Sequence, residues 1–221
     1  MIIVLDGPAG SGKSSTAKAI ASKLHLQYLD SGALYRAISY QWVKAGKDFS
    51  LFDNLDKISL TFTFDSGEFR VFIADEDCTA AIRSKQVSGS VSKVAANPKV
   101  RAFVNDLMKQ HASAHPSIAD GRDLGSVVFP DANVKFYLQA SAEVRAKRRT
   151  KEVQESGQDI AYEEVLQNIK DRDRLDSTRE VDPLRRPDDA IVVQTDQMTF
   201  DEQVSFCVDH ILSKTSLMKG L

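Results

Sequence analysis

Short apolar runs alternating with amphipathic stripes predict an α/β fold whose sheet is parallel. Three observations point there. Ile2 to Leu5 is continuously apolar, as suits a strand buried on both faces. A glycine-rich break at 7–12 leads into Ala17, Ile20, Ala21 and Leu24, the i, i+3, i+4, i+7 stripe of a helix. The same strand–helix alternation recurs along most of the chain, which argues for helical crossovers.

The elements follow in order. Tyr28-Leu29 reads as a second short strand, and Leu34, Ala37, Ile38 and Trp42 as a helix ended near Gly46. At 60–74 the period changes to two: Leu60, Phe62 and Phe64, then Phe69, Val71 and Ile73, separated by Asp65-Ser66-Gly67. This predicts an antiparallel hairpin standing outside the parallel sheet. Val100, Phe103, Val104, Leu107 and His111 form a helical stripe after Pro98, on which His111 reads as a packing residue. Ser117–Asp120 and Val134–Leu138 read as strands, 141–156 and 161–176 as charged helices, and Ala190–Val193 as the last strand. Val204, Cys207, Val208, Ile211 and Leu212 mark the last helix.

Composition narrows the function. The chain has 221 residues and 42% apolar side chains, enough for one enlarged domain with a real core. Its 29 basic and 31 acidic residues leave a net charge of −2, which argues against a nucleic-acid polymer as partner. Cys78 and Cys207 are too few and too far apart for a disulfide scaffold or a zinc site. No apolar run nears the roughly 18 residues of a membrane span, and the opening Met-Ile-Ile-Val-Leu lacks a signal peptide's basic start. The expectation is a cytoplasmic protein with no membrane partner.

Gly7-Pro8-Ala9-Gly10-Ser11-Gly12-Lys13-Ser14 fits G-x-x-x-x-G-K-[ST], between an apolar strand and a periodic helix. Glycines let the backbone N–H groups curl around phosphate oxygens, and the helix points its positive end at the same place. Lys13 can reach the β- and γ-phosphates, and the Ser14 hydroxyl suits Mg²⁺. None of the asparagines is followed by lysine, so the Asn-Lys-x-Asp guanine motif of a GTPase is missing. A small kinase leads.

Eight of the thirteen arginines (Arg145, Arg148, Arg149, Arg172, Arg174, Arg179, Arg185, Arg186) fall between 145 and 186, among three lysines and ten acidic residues. They read either as solvated helices laced with ion pairs or as a lid that brings cations to a transferring phosphoryl group. Asp120-Gly121-Arg122-Asp123 follows a strand, where a P-loop enzyme places the carboxylate that meets Mg²⁺-bound water and where open α/β sheets bind ligands.

With these residues in hand the chain resembles the bacterial cytidylate kinases over nearly its whole length. The markers are the loop above, Leu29-Asp30-Ser31-Gly32-Ala33-Leu34-Tyr35-Arg36, Ile82-Arg83, and Val94-Ala95-Ala96-Asn97-Pro98-Lys99-Val100-Arg101. The most specific is the block from Ala119 to Ala132 around Asp120-Gly121-Arg122-Asp123. Arg172-Asp173, Asp176 and Arg179 complete them. The resemblance implies the P-loop nucleoside-monophosphate-kinase fold: a five-stranded parallel sheet flanked by helices, a lid and a small antiparallel β insert. The core would span 1–30, 98–140 and 177–221. The acceptor-binding region would span 31–97, with the insert at about 60–80, and the lid about 141–176. The implied reaction carries the γ-phosphoryl group of ATP to CMP or dCMP with Mg²⁺, in a monomer.

The same resemblance implies the roles. Gly7, Pro8, Ala9, Gly10, Ser11, Gly12, Lys13, Ser14 and Ser15 hold ATP, with Mg²⁺ on Ser14 and, partly through water, Asp120. Arg36, Arg122 and Arg179 grip the acceptor's phosphate. Ser31, Arg172 and Asp176 lie near its sugar, and Ser92, Arg101 and Asp123 read its base. Lys13, Arg122, Arg148 and Arg149 serve the transfer itself. The base assignment has a physical basis: a carboxylate at Asp123 accepts from cytosine N4, and Arg101 donates to N3 or O2. Uracil's O4 would face that carboxylate with no proton between them, which costs about 1–3 kcal/mol. Two departures from the family pattern are Ser15 for the commoner threonine and Ala74-Asp75 where an Asn-Gly turn is expected. The rival readings are a P-loop kinase for another acceptor, such as another nucleotide or shikimate, and a non-catalytic nucleotide-binding module.

Overall fold

The computed structural model describes residues 1–155, 157 and 159–215. The expected core span reaches past these at 216–221, and the expected lid span includes Ser156 and Gln158; those residues lie outside the described ones.

The chain opens with β1 (Ile2–Asp6), α1 (Lys13–Leu24), β2 (Gln27–Asp30) and α2 (Ser31–Lys44). Two 3₁₀ turns lead to β3 (Leu60–Asp65), β4 (Glu68–Ile73) and β5 (Glu76–Asp77). Then come α3 (Lys85–Ala95), α4 (Pro98–Ala114), β6 (Ser117–Asp120) and β7 (Val134–Gln139). The last elements are α5 (Ala142–Glu155), α6 (Tyr162–Thr178), β8 (Ile191–Gln194) and α7 (Phe200–Lys214).

Five strands form one parallel sheet in the order β2-β6-β1-β7-β8. Ile3, Val4, Leu5, Ile118, Phe136 and Leu138 are fully buried, as continuous apolar runs require when helices cover both faces. The register brings Leu5 and Asp30 level with Asp120, and Asp6 level with Tyr137. Three carboxylates, Asp6, Asp30 and Asp120, thus gather at the carboxyl ends of adjacent strands.

The remaining strands form the separate sheet β3-β4-β5. Ser66 and Gly67 turn the hairpin with φ of 52° and 80°, the backbone of a two-residue primed turn. Phe64 and Phe69 set their rings edge-on to Tyr28 of β2, at 5.5 and 5.6 Å. That contact joins the insert to the main core. Ala74 and Asp75 turn β4 into β5, a two-residue strand too short for its period to be read. Helices α5 and α6 pack on a small cluster of their own, Ala146, Val165 and Ile169, apart from the main core.

Candidate functional site

Gly7 leaves β1 at φ 144°, and a Cβ there would lie 2.2 Å from the carbonyl oxygen of Leu138, so no side chain fits. The loop ends at Gly12, the N-cap of α1, which makes no side-chain cap bond. The helix's first N–H groups are therefore left for an anion. Lys13, only 4% exposed, folds its ammonium over the loop and donates to Pro8 O at 2.6 Å and Ser11 Oγ at 3.3 Å. Burial, then the neighbouring Arg122, pull its pKa well down, against the carboxylates of Asp120, Asp6 and Asp176. Ser15 donates to Gly12 O from the exposed side of the helix.

Asp120 closes the other side of the loop. It accepts from Ser14 Oγ at 2.8 Å and from Tyr28 OH at 2.6 Å, and its own carbonyl accepts from Ser31 Oγ. Burial, then Asp30, raise its pKa. Asp6 accepts from Leu124 N at 3.0 Å and Gly125 N at 2.7 Å, anchoring a single π-type turn (Leu124–Val128) directly after Asp123.

Asp123 is held from two sides. Arg101 Nη2 pairs with one oxygen, and Arg179 Nη2 with the other at 2.8 Å. Arg101 also pairs with Asp182 at 2.6 Å and lies over the Tyr35 ring. Arg122 pairs with Asp176 of α6 at 3.0 Å. Among the described residues, Arg36, Arg83 and Arg172 have no carboxylate partner. Burial, then Arg122 and Arg36, push Arg172 down to about 10. Arg36 is lowered by burial above all, with Arg83 and Arg122 adding repulsion. Mutually repelling, half-buried guanidiniums are chemically suited to an anion such as a phosphate.

The loop, Ser14, Asp120 and Ser31 meet at the sheet edge. Arg36, Arg122 and Arg172 meet beside them, and Arg101, Asp123 and Arg179 form one network. Ser92 lies half-buried on α3, outside that network. Arg148 instead donates to Thr195 Oγ1 at 3.1 Å and Thr195 O at 2.5 Å, and Arg149 pairs with Glu152 on the surface. Sequence reasoning gave no role to Asp6, Tyr28, Arg83 or Asp182, and read Arg145 only as one of the eight arginines of the 145–186 window. Asp6 carried a signal, a charge ending an apolar strand just before the first loop glycine. Arg145 carried a weaker one, three residues before Arg148 on the same helix.

The family model for cytidylate kinase matches residues 3–215. A cytidylate kinase of Carboxydothermus hydrogenoformans is 39% identical over 224 residues, covering 99% of this chain and 100% of its own. One from Fusobacterium nucleatum is 39% identical over 206 residues, covering 93% and 94%. A solved structure from Thermus thermophilus overlays with TM-score 0.51 at 19% identity, over 98% of both chains, and shares the fold.

Proposed function

Because the chain belongs to the cytidylate kinase family, we propose that it moves the γ-phosphoryl group of ATP onto CMP or dCMP, giving CDP or dCDP and ADP. It is a phosphotransferase acting on CMP, and the family implies ATP as the donor. The observation that supports the acceptor side is that Arg36 and Arg172, neither with a carboxylate ion-pair partner among the described residues, repel each other and Arg122 close to the buried Arg101–Asp123 pair.

The loop from Gly7 to Ser15 holds the donor's phosphates, and Lys13 leaves Pro8 O to meet them. Arg36, Arg122 and Arg179 bind the acceptor's phosphate. Ser31, Arg172 and Asp176 flank its sugar, and Arg101, Asp123 and Ser92 read cytosine. An acceptor phosphate oxygen attacks the γ-phosphorus in line while the bond to the β-γ bridging oxygen breaks and ADP departs. Two anions must approach each other for this, and the arginines lower that repulsion in a site with little water to screen it. Ser14 and Asp120 present hard oxygens 2.8 Å apart at the loop, which fit Mg²⁺, with Asp120 partly through water. Mg²⁺ there would neutralise phosphate charge.

Residues 141–176 act as the lid, supported by the separate apolar cluster between α5 and α6. Its closure brings Arg148 and Arg149 from Thr195 and Glu152 to the transferring group and excludes water, which would otherwise accept it. The core is 1–30, 98–140 and 177–221, with acceptor region 31–97 between its first two pieces. No described helix is long and apolar enough to cross a membrane. Among the described residues, the exposed large apolar side chains Phe49, Leu175, Val192 and Phe200 stand on four different elements. With a net charge of −2, these features support a cytoplasmic monomer that acts on free nucleotides.

An ADP-coupled assay with ATP and Mg²⁺ over CMP, dCMP, UMP, AMP, GMP and shikimate tests this reading. Turnover should be highest with CMP and dCMP. Preference for another acceptor, or turnover undiminished in Lys13→Ala, contradicts it.

A further inference from the structure

Arg145 reaches the phosphate loop from outside. Its side chain is 5% exposed, and nearly all its donors are used. Nε donates to Ala140 O at 3.0 Å, and Nη1 to Ala9 O at 2.9 Å. Nη1 and Nη2 grip Asp173 of α6 in a fork, at 3.1 and 2.6 Å. Its stem lies against the loop: a Cβ on Gly10 would be 3.5 Å from Arg145 Cβ.

We propose that Arg145 is a positioning residue for the donor: it holds the Ala9–Gly10 peptide so that Gly10 N–H faces the hollow where ATP's phosphates bind. The inference rests on the phosphotransfer reading. A trans peptide points its C=O and N–H in opposite directions. With Ala9 O turned outward onto Arg145, Gly10 N–H is turned away from Arg145, toward the inside of the loop. Gly10, at φ 75°, has the backbone freedom to rotate this peptide, so its orientation needs an external hold. Asp173 keeps the guanidinium plane from turning. It belongs to the same helix as Arg172 and Asp176, so donor loop and acceptor-side helix share one brace.

A rigid fork is required, because three acceptors lie around one plane and a lysine ammonium offers a single point charge. This separates the proposal from simple charge attraction. Arg145→Lys and Arg145→Met should both weaken ATP, in KM and in a calorimetric Kd without acceptor. The expected loss is about tenfold, the effect of one charge-assisted hydrogen bond. KM for CMP should move far less. Asp173→Asn should weaken ATP in the same direction, by less. Restoration of ATP affinity in Arg145→Lys would overturn the proposal in favour of a charge effect. A lowered unfolding midpoint with unchanged ATP affinity would reduce Arg145 to a structural role. If the unaltered protein fails to phosphorylate CMP, the phosphotransfer reading falls, while the ATP calorimetry still decides the role of Arg145.

Discussion

Arg101 and Asp123 form an ion pair closed off from solvent, at 2% and 5% side-chain exposure, between α4 and the turn after β6. Burial pushes the Asp123 carboxyl up from its ordinary value, and the guanidiniums of Arg101 and Arg179 oppose it. The Asp123 carboxylate, proposed to read the base, is thus held between two arginines in the ligand-free protein. Asp123→Ala leaves Arg101 buried with only its second partner, Asp182. It should cost about 3–5 kcal/mol, as breaking a buried pair does, read by chemical denaturation. Asp123→Asn keeps the shape and should lose less stability while still losing cytosine preference.

Arg172 points to the opposite trade. It is half-buried, repelled by Arg122 and Arg36, and without a carboxylate ion-pair partner among the described residues. Arg172→Met removes the repulsion and keeps much of the apolar stem. The ligand-free protein should gain about 1 kcal/mol of stability, as relief of strain at a site commonly gives. KM for CMP should rise in the same variant. A thermal melt and a CMP titration check the two halves separately.

Asp6 supplies a pH dependence. Burial raises its pKa to about 7, despite the N–H bonds from Leu124 and Gly125. Unfolded, it titrates near 4. Between these values the folded state holds the extra proton, so the stability from this group is present at pH 4 and is lost as pH rises to about 7. Asp120 and Asp123 are shifted in the same direction. The difference between wild-type and Asp6→Asn melts isolates Asp6, and that difference should shift between pH 4 and 7 and be flat above pH 8.

The insert carries a local strain. Ala74 has φ 54°, a left-handed backbone that costs a side chain with no polar group about 1 kcal/mol. Its N–H still donates to Ser59 O at 2.7 Å. Ala74→Gly relieves the strain, though the freer unfolded chain offsets part of it. Ala74→Asn relieves it without that offset. Denaturation midpoints should rank Asn above Ala, with kcat/KM for CMP unchanged.

The sequence was most legible where one physical cause dominates. Ile2–Leu5 is apolar on both faces, as a strand covered by helices requires. Gly7 to Ser14 announces an anion loop because few backbones tolerate so many positive φ angles. By contrast, α3 escaped notice because Gly89 and three serines dilute a stripe of only three valines, Val87, Val91 and Val94. The tasks of the arginines were harder still. Arg145 and Arg148 are three residues apart on one helix, yet one meets Ala9, 136 residues away, and the other meets Thr195. Spacing along the chain carries no record of such partners.

The ratio of kcat/KM for CMP to that for UMP tests the account most directly, because it isolates what Asp123 and Arg101 do to the base from how any phosphate is held. Uracil O4 facing the Asp123 carboxylate with no proton between them predicts a ratio of at least about fivefold, from a penalty of about 1–3 kcal/mol. In Asp123→Asn the ratio should collapse toward one while Kd for ATP stays the same. Equal kcat/KM for CMP and UMP in the unaltered protein would contradict it.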